Sequence, residues 1–126
     1  MHAPNWSISE LSSEFGITPR TLRFYEDKGI LAPARHGRHR IYGARDRARL
    51  VLTLRARAVG LALDDIRGLL DIYTGPNSTQ AQIRACANKL EIHRQFLLSQ
   101  RQEIDLMLAR VEEQIQDCLN KLDPED

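Results

Sequence analysis

The chain has 126 residues and a formal net charge of only +1, so length allows one compact domain or a head with a helical extension, and total charge says nothing about an anionic partner. Two cysteines, Cys86 and Cys118, are too few and too far apart for a disulfide framework or a paired-cysteine metal site. The early residues lack the cationic start of a secretion signal, and no apolar run approaches membrane-spanning length; a cytoplasmic protein with reduced thiols and no membrane contact is the expectation.

Residues 1–6 show no periodicity and are expected to be a loose terminus. Ser7 and Glu10 form a capping box at a helix start. Ile8, Leu11 and Phe15 then share one face, and Gly16 closes the helix. Thr18-Pro19 is an N-cap followed by proline at the first helical position. A second helix is expected from Pro19 to about Lys28, stopped by Gly29. Two short capped helices across a glycine turn make a helix-turn-helix pattern. Pro33 breaks helix, and residues 34–42, centred on His36-Gly37, suggest a small hairpin with a basic tip. Asp46 can start a third helix with Leu50, Val51, Leu54 and Ala58 on its apolar face and Gly60 at its end. Leu63–Tyr73 suggests a fourth, with Asp64 and Asp65 in its first turn and Ile66, Leu69, Leu70 and Tyr73 as its stripe.

Thr74-Gly75-Pro76-Asn77 is the one strong linker. Beyond it, residues 78–123 contain neither glycine nor proline. Ile83, Leu90, Leu97, Ile104, Val111 and Cys118 recur every seven residues, beside Ala87, Arg94, Arg101, Leu108, Ile115 and Leu122. That is a heptad seam, polar in its middle and well packed after residue 104. The rest of so short a chain cannot cover it, so a second copy is expected to do so. The divisions that follow are a head over residues 1–73, a dimerisation helix over 78–122 and a tail over 123–126.

Charge is unevenly spread. Residues 17–60 carry eleven basic residues against Glu26, Asp27 and Asp46, a local excess of +8. Residues 76–126 carry six basic against nine acidic, a local −3. Ten of the eleven cations are arginine, the side chain best shaped for phosphate. That asymmetry is an electrostatic footprint on the first half of the chain.

Three blocks then resemble the MerR family of bacterial regulators. They are Ile17-Thr18-Pro19-Arg20-Thr21-Leu22-Arg23-Phe24-Tyr25-Glu26 with Gly29-Ile30-Leu31 and Pro33; Arg40-Ile41-Tyr42 with Asp46; and Gly60-Leu61-Ala62-Leu63-Asp64-Asp65-Ile66 with Leu69-Leu70. The resemblance implies an all-α fold with a small β wing: a winged helix-turn-helix head followed by a long antiparallel coiled-coil dimerisation helix. It implies a homodimer that binds a promoter palindrome in double-stranded DNA and distorts the promoter spacer so that RNA polymerase can engage it. The short length and the Leu70-Asp71-Ile72-Tyr73 ending look most like regulators of branched-chain amino-acid and fatty-acid degradation genes.

The site residues follow from the same match. Thr18, Arg20, Thr21, Arg23, Phe24 and Tyr25 are expected at the DNA from the second helix, although Leu22 and Tyr25 also suit burial and Phe24 suits packing on the wing. In the wing, Arg38, Arg40 and Tyr42 are expected on the backbone, arginine by charge and tyrosine by its hydroxyl. Arg45, with Arg49, is a further expected phosphate contact, while other third-helix arginines cover the core or pair with acids. Dimerisation is assigned to Ile83, Leu90, Leu97, Ile104, Leu108, Val111 and Ile115. His36 and His39 lack cysteine or carboxylate companions, so no metal site is expected there.

Cys86 and Cys118 admit two readings. Both can be small seam residues. Alternatively they form a thiol or metal sensor, for which metal-sensing relatives place cysteines at the start of the dimer helix and in a loop after it; this chain departs from the copper, zinc and mercury patterns in having no second cysteine beyond Cys118. In an antiparallel pair the two would meet across copies only if the helices cross near residue 102. A repressor using the same head is the other alternative. No nucleophile–base constellation or phosphate-cradling glycine loop occurs, so neither an enzyme nor a cofactor is expected. An effector is left open: a small organic metabolite, or none.

Overall fold

A computed structural model describes residues 4–124. Their order is β1 (Asn5–Trp6), α1 (Ile8–Phe15), α2 (Pro19–Asp27), β2 (Ala34–His36), β3 (His39–Gly43), α3 (Ala44–Ala58), α4 (Leu63–Tyr73) and α5 (Gln80–Asn120). The fold is mostly helical, with a three-stranded antiparallel sheet in the order β1-β3-β2. The chain divides into two compact units, one up to residue 86 and one from residue 87.

In the first unit, local chemistry sets the helix ends. The Ser7 hydroxyl accepts from the Glu10 N–H at 3.1 Å, and the Glu10 carboxylate accepts from the Ser7 N–H at 2.9 Å, the reciprocal box expected at α1. Those bonds hold the Glu10 carboxyl below its ordinary value, the Ser7 N–H contributing most. Gly16 takes φ +65, and Ile17 N–H returns to the Ser12 carbonyl. Thr18 caps α2 through its hydroxyl, which accepts from Thr21 N–H at 3.1 Å. After α2, Gly29 turns the chain at φ +76 and Ile30 N–H bonds back to the Tyr25 carbonyl at 2.9 Å.

Four features depart from the sequence expectation. Asn5 and Trp6 are not a loose end. They pair with Gly43 and Tyr42 as an edge strand, and Trp6 packs on the core. Residues 1–3 of that expected terminus and residues 125–126 of the expected tail lie outside the described residues. Second, α3 starts at Ala44. Asp46 lies in its first turn and accepts from Gly43 N–H at 3.1 Å and Ala32 N–H at 2.9 Å, tying the helix start to the loop after α2. Third, the buried face of α3 is Asp46, Arg49, Leu50 and Thr53. Polar residues can occupy it because each is satisfied internally, Thr53 by donating to the Arg49 carbonyl at 2.7 Å.

The core joins α1, α2, the wing, α3 and α4 through Leu11, Leu22, Tyr25, Ile30, Leu31, Tyr42, Leu50, Ile66 and Leu70. A fourth departure is Tyr73, expected in the α4 stripe but 60% exposed. The neighbouring Cys86 thiol raises its hydroxyl pKa. Thr79 and Gln82 cap the start of α5 reciprocally, at 2.8 and 3.1 Å. In the second unit α5 continues as helix, with Ile104, Leu108, Val111 and Ile115 each more than half exposed. Among the described residues, no helix is long and apolar enough to cross a membrane.

Candidate nucleic-acid interface

The second helix of the helix-turn-helix is held by its inner face. Leu22 and Tyr25 are buried, and they sit three residues apart, one turn of helix. Arg20, Arg23 and Phe24 are thereby turned outward and are exposed, while Thr21 is half-buried. The Thr18 and Thr21 hydroxyls lie 3.0 Å apart, so both are partly occupied with capping the helix. The Phe24 ring lies under the Lys28 ammonium, 5.6 Å from its centroid, and 6.2 Å from the Tyr25 ring. Phe24 is 44% exposed.

The wing is β2, the Gly37-Arg38 turn and β3. His36 pairs with His39 and Arg35 with Arg40, and Gly37 supplies the left-handed turn residue at φ +64. Arg35, His36, Arg38 and His39 are exposed. Arg40 is held differently. Its Nε donates to Glu26 Oε1 at 3.0 Å and Oε2 at 2.9 Å, joining the wing to the last turn of α2. Tyr42 is fully buried, and its hydroxyl lies 3.4 Å from Glu26 Oε2. Burial and the Glu26 charge push its pKa up to about 12. Tyr42 and Tyr25 are therefore core residues in this structure; the hydroxyl expected to reach a phosphate faces Glu26 instead.

The arginines of α3 divide sharply. Arg45 is exposed. Arg47 pairs with Glu14 and lies over the rings of Trp6 and Phe15, at 5.6 and 5.3 Å from their centroids. Arg49, expected to reach phosphate, is 4% exposed. Its Nε donates to the Ile30 carbonyl at 2.6 Å, and its terminal nitrogens donate to the Gly29 carbonyl, Asp71 and Thr74. It braces the turn after α2 against the end of α4 and is removed from the set of DNA contacts. Spacing held the clue: Asp46, Arg49, Leu50 and Thr53 fall at i, i+3, i+4 and i+7. The bracing carboxylate Glu26 had no comparable signal, because its partner is 14 residues away.

Among the described residues, Arg20, Arg23, Arg35, Arg38 and Arg45 form no ion pair, whereas Arg40, Arg47 and Arg49 each have a carboxylate. The unit therefore shows bare cations on α2, the wing and the first turn of α3, and neutralised cations beneath them. No cluster of three or more potential metal-ligating side chains occurs among the described residues.

Comparison with known proteins agrees with this arrangement. Residues 6–72 match the family model described as MerR HTH family regulatory protein, and residues 47–118 match that described as MerR, DNA binding. The HTH-type transcriptional regulator CueR of Vibrio cholerae is 30% identical over 116 residues, covering 89% of this chain and 80% of the relative. A MerR-family regulator from Bacillus cereus shares the fold at a TM-score of 0.71 and 22% identity, covering 95% of this chain and 87% of that one. HiNmlR, a MerR-family regulator lacking the sensor domain and solved bound to promoter DNA, shares it at a TM-score of 0.62 and 20% identity, covering 90% and 89%. Helix-turn-helix, wing, exposed arginines and family match coincide on the same residues, and the chain belongs to the MerR family of DNA-binding transcriptional regulators.

Proposed function

We propose that this regulator binds an inverted-repeat promoter site as a homodimer and activates transcription by distorting the promoter spacer for RNA polymerase. The observation that carries the DNA-facing surface is the segregation of charge, with unpaired arginines on α2, the wing and the start of α3. In this reading α2 enters the major groove. Arg20, Thr21, Arg23 and Phe24 face bases or adjacent phosphates there, with Thr18 setting the helix start. Arg38, Arg40 and Arg45 hold backbone on either side. The exposed apolar seam of α5, through Ile83, Leu90, Leu97, Ile104, Leu108, Val111 and Ile115, pairs with that of a second copy in antiparallel fashion. The narrower likeness to regulators of branched-chain amino-acid and fatty-acid degradation genes rests on Leu70-Asp71-Ile72-Tyr73, and none of the relatives named above is described as one.

The test is a titration of the full chain against a palindromic duplex from its own upstream region, followed by fluorescence anisotropy at several salt concentrations. Log affinity should fall with log salt by about 0.9 for every phosphate neutralised. Arg38→Ala should lower that slope for all sequences alike, while Arg23→Ala should lower it or relax base preference. Sedimentation should give a dimer. Transcription in vitro should lose its dependence on the protein when the promoter spacer is shortened; repression from the same site would instead assign the opposite sign. A monomer with no salt-dependent binding would overturn the reading.

A further inference from the structure

Glu26 is an acid in the most basic segment of the chain, on the helix proposed to enter the groove. A carboxylate there repels phosphate, yet it is held in place, its side chain only 14% exposed. Both its oxygens accept from Arg40 Nε, at 3.0 and 2.9 Å, and Tyr42 supplies a longer contact from the core side. Arginine presents its donors in a rigid planar fork. Once Nε is fixed on Glu26, the plane of the guanidinium is set, and the amino groups Nη1 and Nη2 are the ones left for an outside acceptor. The Arg40 side chain keeps 22% exposure, so the group is pinned but not closed off.

We infer that Glu26 is a positioning residue for DNA binding: it orients the Arg40 guanidinium on the wing so that its terminal amino groups meet a backbone phosphate. This rests on the proposed phosphate contact of Arg40. Pinning works by lowering the ordering cost that a free arginine meets on binding. It also fixes the wing to α2, so that groove and backbone contacts are made in one register.

The sign of the effect makes the inference testable. Simple electrostatics says that removing Glu26 strengthens DNA binding. Positioning says the reverse. Full-length wild type, Arg40→Ala, Glu26→Gln and the double variant would be titrated against the upstream duplex across a salt series, with thermal unfolding of each recorded alongside. Arg40→Ala should lower the salt slope by about 0.9. Glu26→Gln should weaken binding roughly threefold to tenfold, the ordering cost of one long side chain. The double variant should bind no more weakly than Arg40→Ala alone, because nothing remains to be oriented. Equal or tighter binding by Glu26→Gln, or the same loss with and without Arg40, would overturn the inference while leaving the Arg40 contact intact. An Arg40→Ala variant with unchanged affinity and slope would instead remove the underlying contact. Should Glu26→Gln unfold, Arg40→Lys gives the same answer with Glu26 present: it keeps the charge but loses the Nε anchor, and wild-type affinity from it would equally overturn the inference.

Discussion

Replacing Arg49 with alanine should strongly destabilise the head rather than remove a DNA contact. Arg49 is buried on α3, and its donors reach the carbonyls of Ile30 at 2.6 Å and Gly29 at 3.4 Å, Asp71 at 3.2 Å and Thr74 at 2.9 Å. The Asp71 side chain is 60% exposed, so that ion pair contributes little once solvent screens it. The cost lies in the buried Ile30 carbonyl, worth roughly 1–3 kcal/mol when left without its donor, together with the volume the side chain leaves. A loss of about 3–5 kcal/mol follows from the two together. Against a typical domain stability of about 5–15 kcal/mol this is a large fraction. Urea unfolding followed by circular dichroism, at one fixed protomer concentration because dimerisation couples to stability, should show the midpoint falling by roughly 2 M at ordinary slopes. Arg49→Lys should recover little, since one ammonium cannot span the same fork of acceptors. A stability change below about 1 kcal/mol combined with a flatter salt dependence of DNA binding would refute the reasoning, because that pair of results is the signature of a phosphate contact.

Three further outcomes are expected. Tyr42, with its folded pKa raised to about 12, favours a fold that keeps it protonated; its contribution is complete below pH 10 and is lost as pH rises from about 10 to about 12, an amount near 3 kcal/mol. Denaturant unfolding across that range should show a steeper decline for wild type than for Tyr42→Phe, and parallel curves would contradict the buried, Glu26-facing hydroxyl. Thr18→Ala removes the side-chain acceptor for Thr21 N–H and should cost about 1 kcal/mol of unfolding free energy, whereas Thr18→Ser should cost much less. Ile104→Asp places a charge in the proposed seam, where Ile104 is 52% exposed on the single chain; sedimentation should shift from dimer to monomer, and DNA affinity should fall by about a hundredfold or more as the two heads cease to act together.

Much of the fold was legible because its signals are local. The Ser7/Glu10 box, the Thr18-Pro19 start and the glycines after α1 and α2 each act within a few residues, and local chemistry determines helix ends. The interface was legible only in part. Arg20, Arg23, Arg38 and Arg45 stand exposed as their positions suggested. Arg49 and Tyr42 do not, because their partners at Ile30, Asp71 and Glu26 lie 16 to 22 residues away and become neighbours only when the chain folds. Strand β1 was invisible for another reason: two residues cannot display an alternation, and Trp6 earns its place by packing on the core rather than by pattern.

The same partition changes what the charge excess means. Eleven cations against three acids over residues 17–60 suggests a uniformly sticky head, but Arg40, Arg47 and Arg49 are each matched to a carboxylate, from Glu26, Glu14 and Asp71. Two of those carboxylates lie within the helix-turn-helix itself, on α1 and α2, so cation and anion together join wing and α3 to the reading helices. Arg47 adds the rings of Trp6 and Phe15 to this joint, which ties β1 and α1 to α3. Charge in this head therefore divides into two populations. The inner one holds wing, α3 and α4 to the helix-turn-helix, with Arg40–Glu26 as the joint between wing and α2, and on the proposed reading the outer one is the salt-dependent grip. Arg40 belongs to both, with one edge on Glu26 and the other free for phosphate, which is why its loss should alter affinity and register together, while loss of Arg38 should alter affinity alone.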